Sequence, residues 1–227
     1  MQAKRMLPLF VFLTLPLFLS GCKQVMLEPE VDLRKLGRVA LLEFDNLTSD
    51  YGISREATTL LAEELSQLSG LDLIEPRFGD SLFSSRAASE GDVGQLARSL
   101  GADTLLLGAV TYYFEDVYLE PPRRVLVDKK KEIHRWELRQ EINVEVGISL
   151  QLVSKERRVL FSRQATGKAT RFKTIELPWP GDSKYLPPFT SIPSPDRRQI
   201  PTLRREALRD ATKKLASNYL PQFTYTW

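Results

Sequence analysis

Residues 141–153 read Glu141-Ile-Asn-Val-Glu-Val-Gly-Ile-Ser-Leu-Gln-Leu-Val153. Ile142, Val144, Val146, Ile148, Leu150 and Leu152 alternate with mostly polar residues, and a period of two over that length specifies a strand with one buried face. A second strand, Arg158 to Thr170, follows across a Lys155-Glu156 turn. A third precedes it: Asp103 to Tyr118 starts as a continuous apolar run and becomes aromatic and polar. Three long neighbouring strands need helices to cover them.

Those helices are legible upstream and downstream. Arg38-Val-Ala-Leu-Leu-Glu-Phe44 has the composition of a strand buried on both faces. Ala57, Leu60, Leu61, Leu65 and Leu68 make one apolar face of a helix over 55–68, with Ser54 as its expected N-cap and Gly70 as its stop. Leu71 to Ile74 is a short strand. Asp92-Val-Gly-Gln95 reads as a capping box opening a helix that Gly101 closes. The last helix is expected over 203–220, capped by Thr202 and stopped by Pro221, with Leu203, Ala207, Leu208, Ala211, Leu215, Ala216 and Tyr219 inward. The order β-α-β-α-β-β-β-α defines an α/β fold, a mixed sheet with helices packed on it.

The N-terminus has a different grammar. Lys4 and Arg5 precede the apolar run Met6 to Leu19, which ends in Leu19-Ser20-Gly21-Cys22. A basic start, a short apolar core and small residues before a cut site make a signal peptide. The run is shorter than the roughly 20 residues of a permanent membrane helix. Leu-Ser-Gly-Cys resembles the bacterial lipobox. That resemblance implies cleavage between Gly21 and Cys22 and a covalent lipid, palmitate included, on Cys22. Lys23 rather than Asp after the Cys points to the outer membrane. The expected organisation is a signal peptide at 1–21, a lipidated tether at 22–36 and a periplasmic domain at 37–227. Insertions fall at 119–138 and 171–201, the latter holding seven of the chain's 14 Pro.

Composition narrows the chemistry. The chain has 227 residues, formal net charge +3, one Cys and one His. One Cys excludes a disulfide framework or a multi-thiolate zinc site within the chain. One His disfavours an imidazole triad. Near-neutral charge argues against nucleic acid as a partner. Glu43 and Asp45 flank Phe44 on one side of a strand end and can be pictured as an acid–base or metal pair, though no third ligand is visible. His134 reads as a solvated residue of a charged connection. Lys129-Lys130-Lys131 with Arg123 and Arg124 can touch anionic headgroups or polysaccharide, though Asp128 and Glu132 are interspersed, and the default reading is a solvated hairpin or insertion. No catalytic residue, metal site or cofactor other than the lipid on Cys22 is expected.

Taken together, the lipobox, Arg38–Phe44 leading to Asp45-Asn46, the helix before Gly70-Leu-Asp-Leu-Ile-Glu-Pro76, and Leu100-Gly-Ala-Asp-Thr-Leu-Leu-Leu-Gly108 resemble the curli secretion channel lipoprotein superfamily. Its relatives include the Pel polysaccharide secretion lipoprotein and the lipoprotein activators of penicillin-binding proteins. The resemblance spans about 37–220 and implies a periplasmic α/β domain, often a ring on the outer membrane. The channel itself builds a membrane barrel from two inserted hairpins. Here the matching segments are charged in one case and Pro-rich in the other, so no autonomous barrel is expected.

The expectation is therefore a non-enzymatic lipoprotein, an accessory or oligomeric collar in envelope secretion or assembly, with envelope proteins and copies of itself as partners. Tyr185, Phe189, Tyr225 and Trp227 are its candidate contact residues. The alternatives are a lipoprotein that binds and activates a peptidoglycan synthase, and a metal-dependent envelope hydrolase using Glu43 and Asp45.

Overall fold

The structure, a computed structural model, describes residues 23–27, 30–75, 78, 84–180, 185–219 and 222–226. Gly21, Cys22 and Trp227 lie outside the described residues, as does Pro221. The strands are β1 (Lys23–Leu27), β2 (Val39–Leu41), β3 (Asp45–Asn46), β4 (Leu73–Ile74), β5 (Thr104–Leu119), β6 (Arg123–Asp128), β7 (Ile133–Ser154), β8 (Val159–Glu176) and β9 (Gln222–Thr226). The helices are α1 (Ile53–Ser66), α2 (Ser85–Glu90), α3 (Val93–Leu100) and α4 (Ile200–Ala216).

A seven-stranded mixed sheet organises the chain. β2 pairs in parallel with β4 and β5, and β3 continues along β5. β7 pairs antiparallel with β5 and then β6 along one edge, and with β8 along the other. The expected α/β class and the order of its main elements hold. β1 and β9 form a separate antiparallel ribbon, so part of the segment read as a tether pairs with the aromatic tail. Beyond it Leu33 is buried in a one-turn 3-10 helix.

Alternation explains which side of the sheet each helix covers. Even-numbered residues 142–152 of β7 are buried among Ala57, Leu61 and Leu65 of α1 and Leu203, Ala207, Leu208 and Ala211 of α4. The inward face expected of α4 is buried throughout, Tyr219 included. Gly167 lets α4 come close: a Cβ there would collide with Ala207 O and with Ala211 N, both backbone atoms. On the other side, Ala40, Leu42, Leu105, Leu107 and Val153 pack with Ala88 of α2 and Ala97 of α3. β2 is thus buried on both faces, as read.

Several boundaries differ for physical reasons. α1 starts at Ile53 because Ile53 itself is buried, and its N-cap position is Gly52 in the left-handed region (φ 84°), with no side-chain cap from Ser54. The helix ends at Ser66, before Gly70. α4 starts at Ile200, with Pro201 in the first turn, where its missing N–H costs nothing; Thr202 is not the cap. Asp92 caps α3 as expected, accepting from Gln95 N at 3.0 Å, and Gly101 closes it at φ 66°. The charged connection around His134 is a β-hairpin: β6 pairs with the first residues of β7, which makes β7 22 residues long. β8 extends through Glu176, six residues past its expected end.

A candidate interaction surface on the open sheet face

β5 carries an extra residue between Val110 and Tyr112, where Val110 pairs with Ile148 and Tyr112 with Gly147. This β-bulge at Thr111 reverses the parity of everything after it. Before it, Leu106 and Val110 face α1 and α4; after it, Tyr113 and Val117 do. Tyr112, Phe114, Asp116 and Tyr118 therefore turn outward, and all four are exposed.

Cross-strand register extends this face over three strands. Phe114 lies in a row with Glu145 and Lys168, Asp116 with Asn143 and Thr170, and Tyr118 with Glu141 and Phe172. The rows are built rather than random. The Tyr112 ring lies over Gly147, occupying the space a side chain would take, and its hydroxyl donates to Glu145 Oε1 at 2.5 Å and contacts Thr166 Oγ1 at 3.2 Å. Lys168 Nζ reaches Glu145 Oε2 at 2.8 Å. Thr170 Oγ1 donates to Asn143 Oδ1 at 2.7 Å. The Arg139 guanidinium stacks 3.8 Å above the Phe172 ring. The Lys168 ammonium, and next the Tyr112 hydroxyl, hold the Glu145 carboxyl below its ordinary value. Burial first, then Glu145, pushes the Tyr112 hydroxyl up.

These partners hold a platform of aromatic rings, hydroxyls and paired charges in place. The sequence shows aromatics at 112, 114 and 118, but their facing depends on a bulge that period-two reading passes over.

The residues singled out from sequence fall elsewhere. Tyr185 and Phe189 are 81% and 87% exposed on the Pro-rich segment. That segment is pinned at both ends. Leu177 N donates to Trp136 O at 2.9 Å, and Leu177, Trp136 and Leu138 form a small core with Trp179 and Ile192. Farther on, the buried Gln140 side chain pairs with both backbone groups of Asp196, at 2.6 and 3.0 Å. Tyr225 pairs through its backbone with Gln24 in the β1–β9 ribbon.

Glu43 and Asp45 are half-buried around a buried Phe44, whose ring sits against Gly108. Glu43 O accepts from Ser85 N at 2.8 Å. Asp45 lines a cleft of about 150 Å³ with Ser85, Ser149 and Gln151. Among the described residues no three His, Cys, Asp or Glu side chains gather in a metal-binding group. Nor, among them, is any helix long and apolar enough to cross a membrane.

No protein-family model matches the chain, and no curated protein does. Solved structures with a similar arrangement include the PelC dodecamer from Paraburkholderia phytofirmans, at 14% identity and TM-score 0.42, covering 86% of this chain and 97% of that one. They also include a lipoprotein from Neisseria meningitidis, at 14% identity and TM-score 0.39, covering 59% of this chain and 83% of that one. A minor lipoprotein from Acinetobacter baumannii has 14% identity and TM-score 0.34, covering 79% and 89%. At these scores none bears on what this chain does.

Proposed function

We propose that this chain is an outer-membrane lipoprotein, lipidated at Cys22, whose domain faces the periplasm and works by binding. Its role would be that of a non-enzymatic accessory or oligomeric collar in envelope secretion or assembly. The observation that carries the reading is the N-terminal grammar: Lys4-Arg5, a short apolar run, then Leu19-Ser20-Gly21-Cys22. Two or more acyl chains on one residue, at about 0.8 kcal/mol per buried methylene, hold a protein stably on a bilayer.

The domain supplies contact surface. The open face of β5, β7 and β8 presents four aromatic rings on a rigid sheet, and exposed aromatics of this kind serve protein–protein contact. β8 also offers a long outer edge, carrying Arg163, Lys168, Arg171 and Lys173.

Metabolic labelling with a clickable palmitate tests the anchor. The wild-type chain should take the label, float with outer membranes and lose residues 1–21. Cys22→Ser should lose label and processing together. Label retained by the variant, or wild-type protein in the soluble periplasm, would sink the reading. Mass measurement of the detergent-solubilised lipoprotein tests the collar, and a strict monomer at high concentration would remove it.

A further inference from the structure

The hairpin of β6 and the start of β7 projects past the packed sheet. Its residues from Arg123 to Arg135 are exposed or half-exposed throughout. Three exposed aliphatic side chains lie near the tip, with Leu126 on the face of His134 and Ile133 on the opposite one: Leu126, Val127 and Ile133 are 45%, 53% and 48% exposed. Val127 sits on a bulge opposite the His134–Ile133 step.

Charge is concentrated there too. Residues 123–135 hold six cations and two carboxylates, a surplus of four in a chain whose net charge is +3. One carboxylate is already occupied: Asp128 Oδ1 accepts from Lys130 N at 2.8 Å and Lys131 N at 3.2 Å, which fixes the turn. Among the described residues, Lys129, Lys130 and Lys131 have no carboxylate within ion-pair distance, whereas Arg163, Lys168, Arg171 and Lys173 on β8 each have one.

We propose that this hairpin tip docks on an anionic lipid surface, its three lysines on the headgroups and Leu126, Val127 and Ile133 at the acyl boundary. Charge complementarity supplies the attraction, since each cation near an anionic bilayer strengthens partitioning roughly five-fold. The aliphatic trio selects a bilayer over a soluble polyanion, which would give those side chains nothing to enter. Such docking is peripheral and needs no barrel. It builds on the membrane attachment proposed for Cys22, adding a second contact that orients the domain.

Cys22 carries the chain's one thiol, consumed by lipid in that reading, so Val127→Cys creates a uniquely labelled site. The full mature lipoprotein with an environment-sensitive fluorophore at position 127 would be reconstituted into phosphatidylglycerol vesicles or phosphatidylcholine vesicles. A label at exposed Ser99 on α3 is the control. The expected result is a blue shift and quenching by lipid-borne quenchers at 127 in phosphatidylglycerol alone, weakened by salt. Replacing Lys129, Lys130 and Lys131 together by Gln should lower the docked-to-free ratio on the order of a hundred-fold, with unchanged circular dichroism.

A label that stays in water, or reports the same in both lipids, would overturn the proposal. So would a shift produced by soluble dextran sulfate and not by vesicles. Failure of lipidation reads out separately, as missing palmitate label, and the position-127 probe still reports the hairpin.

Discussion

The two faces of β5, β7 and β8 have nearly the same backbone and opposite fates. On one, Ile142, Val144, Val146, Ile148, Leu150 and Leu152 are sealed under α1 and α4. On the other, Asn143, Glu145, Ser149 and Gln151 reach solvent along the same strand, flanked by Tyr112, Phe114, Tyr118 and Phe172. The helices follow the apolar stripe of β7, while a single extra residue in β5 decides which aromatics remain outside. Stability belongs to the first face, and the second is left open to solvent.

The largest expected effect breaks that division of labour. Deleting Asp116, an exposed residue, would invert Val117 and Tyr118 against β7 and cost folding altogether, or more than about 4 kcal/mol. Deleting half-buried Thr111 instead removes the bulge and leaves Tyr112 outward and Tyr113 inward, for a loss of about 1–2 kcal/mol. Urea denaturation of both variants checks the contrast, and equal losses would refute the bulge account. Next in size is a pair on β7. Leu150→Ala on the sealed face should cost about 2–5 kcal/mol. Neighbouring Gln151→Ala, exposed, should stay within about 0.5 kcal/mol.

Much of the sealed face is legible in the sequence, because burial there is periodic. Period two in 142–152 and the three-and-four spacing of 203–219 name half of the buried residues that meet in this core, and the apolar face read over 55–68 adds Ala57, Leu60, Leu61 and Leu65. The open face is not legible in the same way. Its aromatics sit at even numbers in β5 that would point inward in a regular strand, and only the pairing of Tyr112 with Gly147 reveals the bulge. The charged segment is legible as a solvated hairpin or insertion, but its pairing as an extension of β7 is hidden for a related reason. Arg123 to Arg135 has no apolar stripe, since neither of its faces is covered, and its strand form comes from continuing β7. The β1–β9 ribbon joins residues 23–27 to 222–226, a pairing that local pattern cannot anticipate.

The smallest expected effect compares one carboxylate from each side. Glu145 on the open face is held down by Lys168 and Tyr112, whereas Asp196, beside Gln140, is held far below its ordinary 3.8 by Arg198 first and Lys173 next. A depressed carboxylate stabilises the fold above its unfolded pKa, and that contribution is lost as pH falls through the folded value. Both contributions are thus intact at neutral pH and fade only below about pH 4. Their consequences differ because of what each joins. Protonating Glu145 weakens contacts within strands that are already paired backbone to backbone. Protonating Asp196 weakens a tie between β8 and the Pro-rich segment, which has few backbone bonds of its own to the sheet. Hydrogen exchange followed from about pH 4 to about pH 1.5, corrected for intrinsic rates, should show 185–199 loosening while 141–153 stays protected. Asp196→Asn should already be loosened at neutral pH and lose the acid step, and an unchanged acid step in that variant would assign the transition to another group.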